Sequence, residues 1–151
     1  MIGAVRRFFS DLSGGDHRLE VGEDEIRLAV AALLFHVVAI DGVVSDEERA
    51  VLSGLLKARF GLDPEETRSL VSAGAKADAA AVDLYGFTSV LKRRLDVEDR
   101  ERIIEMMWRL VYADGRVHEF EDNVVWRVAE LLAVPAQVRI GLKQTVRDNA
   151  G

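Results

Sequence analysis

The chain has 151 residues, of which 49% are hydrophobic and 30% are charged, with a formal net charge of −6 and no cysteine. This length suits one domain, and the hydrophobic share excludes an intrinsically disordered chain. The lack of cysteine excludes disulfides, thiolate nucleophiles and thiol redox chemistry, while the acidic balance argues against nucleic acid as a partner, because phosphate contacts need an excess of Lys and Arg.

The N-terminal residues 1–22 are interpreted as an amphipathic segment followed by a flexible link at residues 13–16, Ser-Gly-Gly-Asp. Their apolar stretch is too short for a secretory signal and contains charges, so the expected compartment is the cytoplasm. The Arg-Arg-Phe-Phe sequence at residues 6–9 is compatible with a helix docked on the domain or with peripheral contact to a membrane surface.

Seven helices are predicted in the following domain, residues 23–147, and none of its segments has the alternation typical of a strand. The expected fold class is therefore all-α, with residues 148–151 as a frayed tail. Helix starts are indicated by acidic, Ser or Pro residues, and helix ends by Gly or basic residues. The expected helices cover about residues 23–40, 46–60, 64–77, 82–95, 97–113, 119–132 and 135–147.

The first of these helices contains the most apolar run of the chain, Leu28–Ile40, whose 13 residues are interrupted only by His36. A bilayer crossing needs about 20 residues, so this run predicts a buried core helix. His36 is expected at the edge of the core with a hydrogen-bonded ring. Further along, the segment Tyr85-Gly86-Phe87 is expected in the core, and a basic stripe on the last helix is expected to face solvent, formed by Arg139, Lys143 and Arg147.

An internal repeat relates the two ends of the domain. Phe35–Glu48 aligns without gaps on Trp108–Glu121 at a constant offset of 73 residues. Each copy contains an apolar helix, an Asp-Gly turn and the start of an amphipathic helix, and neither hairpin could bury its apolar face alone. Two helix-turn-helix halves related by a pseudo-twofold axis are therefore predicted, with residues 63–95 supplying the remaining cover.

Each copy contains the pattern Asp-Gly-x5-Glu, with Asp41 and Glu48 in the first and Asp114 and Glu121 in the second. The second half of an EF-hand loop has the same spacing. The first half does not match, because apolar residues occupy the positions of the first two ligands: Val37, Ala39, Leu110 and Tyr112. An ordinary EF-hand is excluded.

Two interpretations of these turns remain open. In one, the residues only form tight turns and helix caps, with Ser45 and Glu48 as a capping box. In the other, the carboxylates bind a divalent cation weakly, with Ca²⁺ or Mg²⁺ favoured over zinc because Cys ligands are absent. The candidate metal ligands are Asp41, Glu48, Asp114 and Glu121, and the candidate partner-binding acids beside them are Asp46, Glu47 and Glu119.

The doubled Asp-Gly pattern after an apolar helix resembles the TerB-like family, named for tellurite-resistance operons, over about residues 23–147. The same domain is similar to the N-terminal region of membrane-anchored DnaJ-like co-chaperones. This resemblance implies about seven helices in two related halves, and an acidic surface at the four carboxylates listed above that binds metal or a partner. The chain departs from the co-chaperones in lacking a His-Pro-Asp motif and an anchor helix, and it has no cysteine to reduce tellurite.

The leading functional hypothesis is a non-enzymatic binding module, in a stress response, that docks an unidentified protein partner or a cation. No nucleophile–base grouping and no phosphate-binding loop supports catalysis. The alternatives are a metal-dependent enzyme that uses the four carboxylates, and a membrane-surface adaptor that acts through the N-terminal segment. The pattern of residues leaves the oligomeric state open.

Overall fold

The computed structural model describes residues 21–40, 42–113 and 119–150 of the chain. Over those ranges the protein forms seven α-helices and no strand, which confirms the all-α prediction. The predicted N-terminal helix, Asp41 and Asp114 lie outside the described residues. The helices are α1 (Val21–Ala39), α2 (Asp46–Phe60), α3 (Pro64–Ala80), α4 (Tyr85–Arg94), α5 (Val97–Val111), α6 (Glu119–Leu131) and α7 (Ala136–Ala150).

Helix starts agree with the sequence signals because they depend on neighbouring residues. Ser45 and Glu48 form a capping box at the start of α2, and Asp63 and Glu66 form one at the start of α3. At α5, the carboxylate of Asp96 accepts a hydrogen bond of 2.8 Å from the backbone N–H of Asp99. Each cap satisfies a backbone N–H group that has no partner within its helix.

Several helix boundaries differ from the prediction. Helix α1 begins two residues earlier, at Val21, and α3 continues to Ala80, since its last turn is rich in alanine, the best helix former. Helix α4 begins only at Tyr85, whose backbone N–H donates to the Asp83 carboxylate at 2.9 Å. Helix α7 continues to Ala150, three residues beyond its expected end at residue 147.

The core is built around α1, where every residue of Leu28–Leu34 is buried. Helix α1 packs against α2, α3, α4, α5 and α6, which explains why its apolar residues are not confined to one face. Phe35 is half-buried at the edge of this core. The centre contains buried residues of α1 and α5, among them Leu33, Val38, Met107, Leu110 and Val111.

The two copies of the repeat pack reciprocally. Helix α2 contacts α5 of the other copy, α6 contacts α1, and the two long helices α1 and α5 contact each other. The third helices also correspond, because α3 returns to pack on α1 and α7 returns to pack on α5. Each half therefore contains three helices joined through α4, whereas the sequence indicated two per half. This contact pattern is the one that a pseudo-twofold axis requires.

The ends of α2 and α6 show the same turn in the two halves. Gly61 follows α2 with φ of 63°, and the N–H of Leu62 donates to the carbonyl of Lys57 at 3.1 Å. Ala133 occupies the matching place after α6 with φ of 59°, and the N–H of Val134 donates to the carbonyl of Ala129 at 2.8 Å. A residue in the left-handed conformation followed by this bond is a Schellman cap. At Ala133 the left-handed conformation costs about 1–2 kcal/mol of backbone strain, which a glycine avoids.

Helices α1 and α3 approach each other closely at Gly74. A Cβ atom at this position would lie 2.8 Å from both the carbonyl carbon and the Cβ of Ala31. Ala73 and Ala77, on the same helix, are also buried. Small side chains on both helices thus permit a backbone separation that any larger residue at position 74 would disturb.

We expect Gly74→Ala to lower the free energy of unfolding by about 1–3 kcal/mol, because the new methyl group meets backbone atoms of α1 that cannot rotate away. Gly54→Ala and Gly141→Ala are matched controls, since both positions are exposed in helices and an added Cβ has nothing within 4 Å. These controls should be neutral or stabilising by up to about 1 kcal/mol through helix propensity. Urea melts of the three variants measure the difference, and equal stabilities would contradict close packing at Gly74.

Candidate functional site

The first acidic turn lies between α1 and α2. Gly42 has φ of 85°, and its N–H donates to the carbonyl of Ala39 at 3.0 Å, which is the tight turn that the Asp-Gly pair predicts. The side chains of Asp46 and Glu47 are exposed at the start of α2. They leave two carboxylates at the surface beside a helix N-terminus, where negative charge is favourable.

Glu48 is only 5% exposed and points back toward the start of its own helix. Its Oε1 accepts from the N–H of Ser45 at 3.0 Å, and its own N–H donates to the Oγ of Ser45 at 3.1 Å. Both bonds of a capping box are present, so the position of Glu48 is fully explained without a ligand.

The second acidic turn is described only from α6 onward. Glu119 is exposed, whereas Glu121 is 2% exposed. Asp41 and Asp114, the first carboxylate of each pattern, lie outside the described residues. Within the described ranges, no three His, Asp or Glu side chains are grouped so that they could hold a metal ion.

An apolar surface that the sequence did not indicate lies on α6. We call it the α6 outer face and define it by Phe120, which is 65% exposed, and Trp126, which is 49% exposed. The opposite side of α6 is buried through Val125 and Val128. Beside the outer face is a groove of 300 Å³ lined by Ile40, Phe120, Asn123, Val124, Trp126 and Arg127. Ile40 immediately precedes the first acidic turn, so the groove and that turn adjoin.

A second cavity, of 370 Å³, lies on the other side of Trp126, between α5, α6 and α7. Trp108 is among its lining residues, and the Nε1–H of this residue donates to the carbonyl of Arg139 at 3.1 Å. The Nζ of Lys143 lies 5.1 Å from the centre of a Trp108 ring and 2.7 Å from the Oδ1 of Asp122. The expected solvent-facing basic stripe is therefore wrong for Lys143, which joins α7 to α6.

A third cavity, of 460 Å³, is lined by residues of α1, α3, α6 and the start of α4. The Nδ1 of His36 lies 2.7 Å from the Oδ1 of Asp78, and both side chains are partly buried. The prediction that the His36 ring has a hydrogen-bond partner is confirmed. Phe87 is buried as expected, but Tyr85 is 62% exposed and lines this cavity, so its assignment to the core is wrong.

Within the described ranges, no helix is both long enough and apolar enough to cross a membrane. Residues 27–144 match the family model described as tellurite resistance protein TerB. Neither a curated protein nor a solved structure matches the chain. The family match covers most of the described helices, from the first turns of α1 to the middle of α7.

The geometry of Glu48 gives a test that separates a cap from a metal ligand. We expect Glu48→Gln to melt like the unmodified protein, because a glutamine amide oxygen accepts the same bond from the Ser45 N–H. Glu48→Ala removes that bond and should lower the free energy of unfolding by about 1 kcal/mol.

Thermal or urea unfolding, measured without divalent cations, gives both values. A loss in Glu48→Gln as large as that in Glu48→Ala would show that the charge itself holds the fold, and would contradict the capping role. Glu66→Gln and Glu66→Ala at the equivalent box of α3 provide the matched comparison, since their hydrogen bonds have the same arrangement.

Proposed function

Since the chain belongs to the TerB family, we propose that it is a non-enzymatic module that docks a protein partner through the α6 outer face and its groove. The family description suggests a role in tellurite resistance or a related stress response. We propose that the protein acts in the cytoplasm. The single observation that carries the docking proposal is the exposure of Phe120 and Trp126, at 65% and 49%, on one helix.

Exposed aromatic residues of this size favour a protein partner. Tryptophan and tyrosine dominate the energetics of interfaces, where a large ring fills a pocket of the partner and loses its water. Phe120 and Trp126 line a common groove with Ile40, and Trp126 also lines the second cavity with Ile140, which is 44% exposed. Apolar area is therefore continuous across α6 and is edged by polar side chains, as in an interface core with its rim.

Three exposed carboxylates near the groove outnumber Arg127, the charged side chain in its lining, and they indicate the chemistry of the partner. The exposed carboxylate of Glu119 precedes Phe120, and the exposed carboxylates of Asp46 and Glu47 follow the turn that begins after Ile40. The chain carries a net charge of −6. We therefore propose a partner segment with apolar side chains for the groove and flanking Lys or Arg residues, whose attraction to these acids speeds association.

We expect Trp126→Ala to weaken partner binding by about 2 kcal/mol or more, roughly 30-fold, as for a central aromatic anchor. Affinity capture from an extract of the source cells identifies candidates, and titration of the purified candidate measures the dissociation constant. Phe120→Ala should weaken binding too. Val97→Ala is the control, since Val97 is 57% exposed at the start of α5 and lies outside the residues that line the groove.

Thermal unfolding of all three variants shows whether the fold is intact. Equal affinity of the three variants and the unmodified protein would refute the docking proposal. Raising the salt concentration should slow association of the true partner, because the acids are exposed and screened at about 10 Å in 0.1 M salt. Association that is independent of salt would contradict the proposed cationic flank.

A weak cation site at the first acidic turn is a second candidate function. It is favoured by Asp46 and Glu47, which are exposed and are not needed for the capping box. Because Glu48 already accepts from Ser45, most ligands of Ca²⁺ or Mg²⁺ would be water or carbonyl oxygens. We expect a dissociation constant of about 10⁻⁴–10⁻³ M or weaker, and folding without metal.

Calcium and magnesium titrations followed by amide chemical shifts at Gly42 and Gly115 measure this affinity. The start of α3 supplies an internal control, because Asp63, Glu65 and Glu66 repeat the acidic capping box without an Asp-Gly turn before it. Shifts of equal size at Glu66 would mean general screening of acids, and no shift at Gly42 in millimolar calcium would exclude the site.

A further inference from the structure

We propose that the third cavity, which we call the His36 cavity, binds a small organic monocarboxylate with an apolar body. It is lined by His36, Asp78, Ala81, Val82, Asp83, Leu84, Tyr85, Arg127 and Leu131. Its 460 Å³ falls within the usual size of small-molecule sites, which combine apolar walls with a few fixed polar groups.

The His36 ring is held in place by a long-range contact. Its Nδ1 lies 2.7 Å from the Oδ1 of Asp78, which joins α1 to α3 across 42 residues of sequence. The Asp78 carboxylate beside Nδ1 fixes the orientation of the ring. His36 and Asp78 thus place a fixed polar pair in the wall of the cavity.

Arg127 determines the charge of the ligand. The cavity contains two other charged groups, but Asp78 contacts His36 and Asp83 accepts from the Tyr85 N–H at 2.9 Å. Arg127 is exposed on α6, and in the described parts of the chain its guanidinium makes no hydrogen bond or ion pair. The group that lacks a partner is a cation, so the complementary ligand is an anion.

The lining favours a carboxylate over a phosphate. A guanidinium pairs with a carboxylate through two parallel hydrogen bonds, which one arginine can supply alone. A dianion would need further cations, because Arg127 is the one lining residue with a permanent positive charge. Asp78 and Asp83 already oppose a single negative charge, and they would oppose a second one more strongly. Val82, Leu84 and Leu131 provide apolar contact for the rest of the molecule.

Binding of 2-naphthoate to the intact protein tests this proposal. Its 13 non-hydrogen atoms set an expected dissociation constant of about 1 mM, from typical ligand efficiencies. Amide shifts in a ¹⁵N-labelled sample should concentrate at residues 81–85 and near Arg127. 2-Naphthalenemethanol, which has the same ring without the charge, should bind about tenfold more weakly, as expected for loss of a charge-assisted pair.

Arg127→Gln should weaken 2-naphthoate binding about tenfold and abolish the preference for the acid over the alcohol. Arg139→Gln is the matched control, because Arg139 is a partly exposed arginine that lines the second cavity, and it should bind as the unmodified protein does. Unfolding curves and amide spectra of both variants show whether the fold is retained.

Equal affinity of Arg127→Gln and the unmodified protein would overturn the proposal, as would shifts confined to Phe120 and Trp126. Inorganic phosphate at 10 mM should not displace 2-naphthoate, and displacement would overturn the assignment to a monocarboxylate. Arg127 also lines the groove beside the α6 outer face. Trp126→Ala separates the two sites, because it should weaken partner docking and leave the affinity for 2-naphthoate unchanged.

Discussion

The close approach of α1 and α3 is the constraint on which the rest of the structure depends. With only hydrogen at Gly74, the backbone of α3 reaches the backbone of α1 at Ala31, and α1 becomes the centre of the fold. The same approach brings His36 and Asp78 together, since each lies about one turn beyond Ala31 and Gly74 on its own helix. A packing requirement in the core and a polar pair in a surface cavity therefore have one origin.

Much of the fold could be predicted from neighbouring residues. The caps at Ser45, Asp63 and Asp96 and the stop at Gly61 depend on groups within a few residues, and all four form as expected. The repeat indicated the hairpins because it preserves helix, turn and helix in order. The packing role of Gly74 could not be recognised, because it depends on a helix more than 40 residues earlier. The correspondence of α3 with α7 could not be recognised either, because it consists in their packing on α1 and α5.

The candidate sites were less predictable, because the type of an apolar or acidic residue does not determine whether its side chain faces the core or the solvent. Trp126 and Val125 are adjacent and both apolar, yet Trp126 is half-exposed and Val125 is buried. The contacts of α6 with α1, α4 and α5 determine which of the two side chains is covered. Asp24 and Glu25 are acidic residues near the start of α1, and both are buried. Glu48 was open to two interpretations until the bonds to Ser45 were visible, since one residue type serves a cap and a cation equally well.

The position of α7 has a consequence for how the protein fluctuates. This helix packs on α5 and α6 at the edge of the bundle, and most of its side chains are exposed. Hydrogen bonds join it to both helices, from the Trp108 Nε1–H to the Arg139 carbonyl at 3.1 Å and from Lys143 to Asp122 at 2.7 Å. Elements with few buried contacts open at lower free energy than the core, so amide hydrogens of α7 should exchange with solvent before those of α1. Each such opening would expose Trp108 to solvent. The exposed apolar area around Trp126 would then extend onto the side of α5 that α7 covers in the closed state.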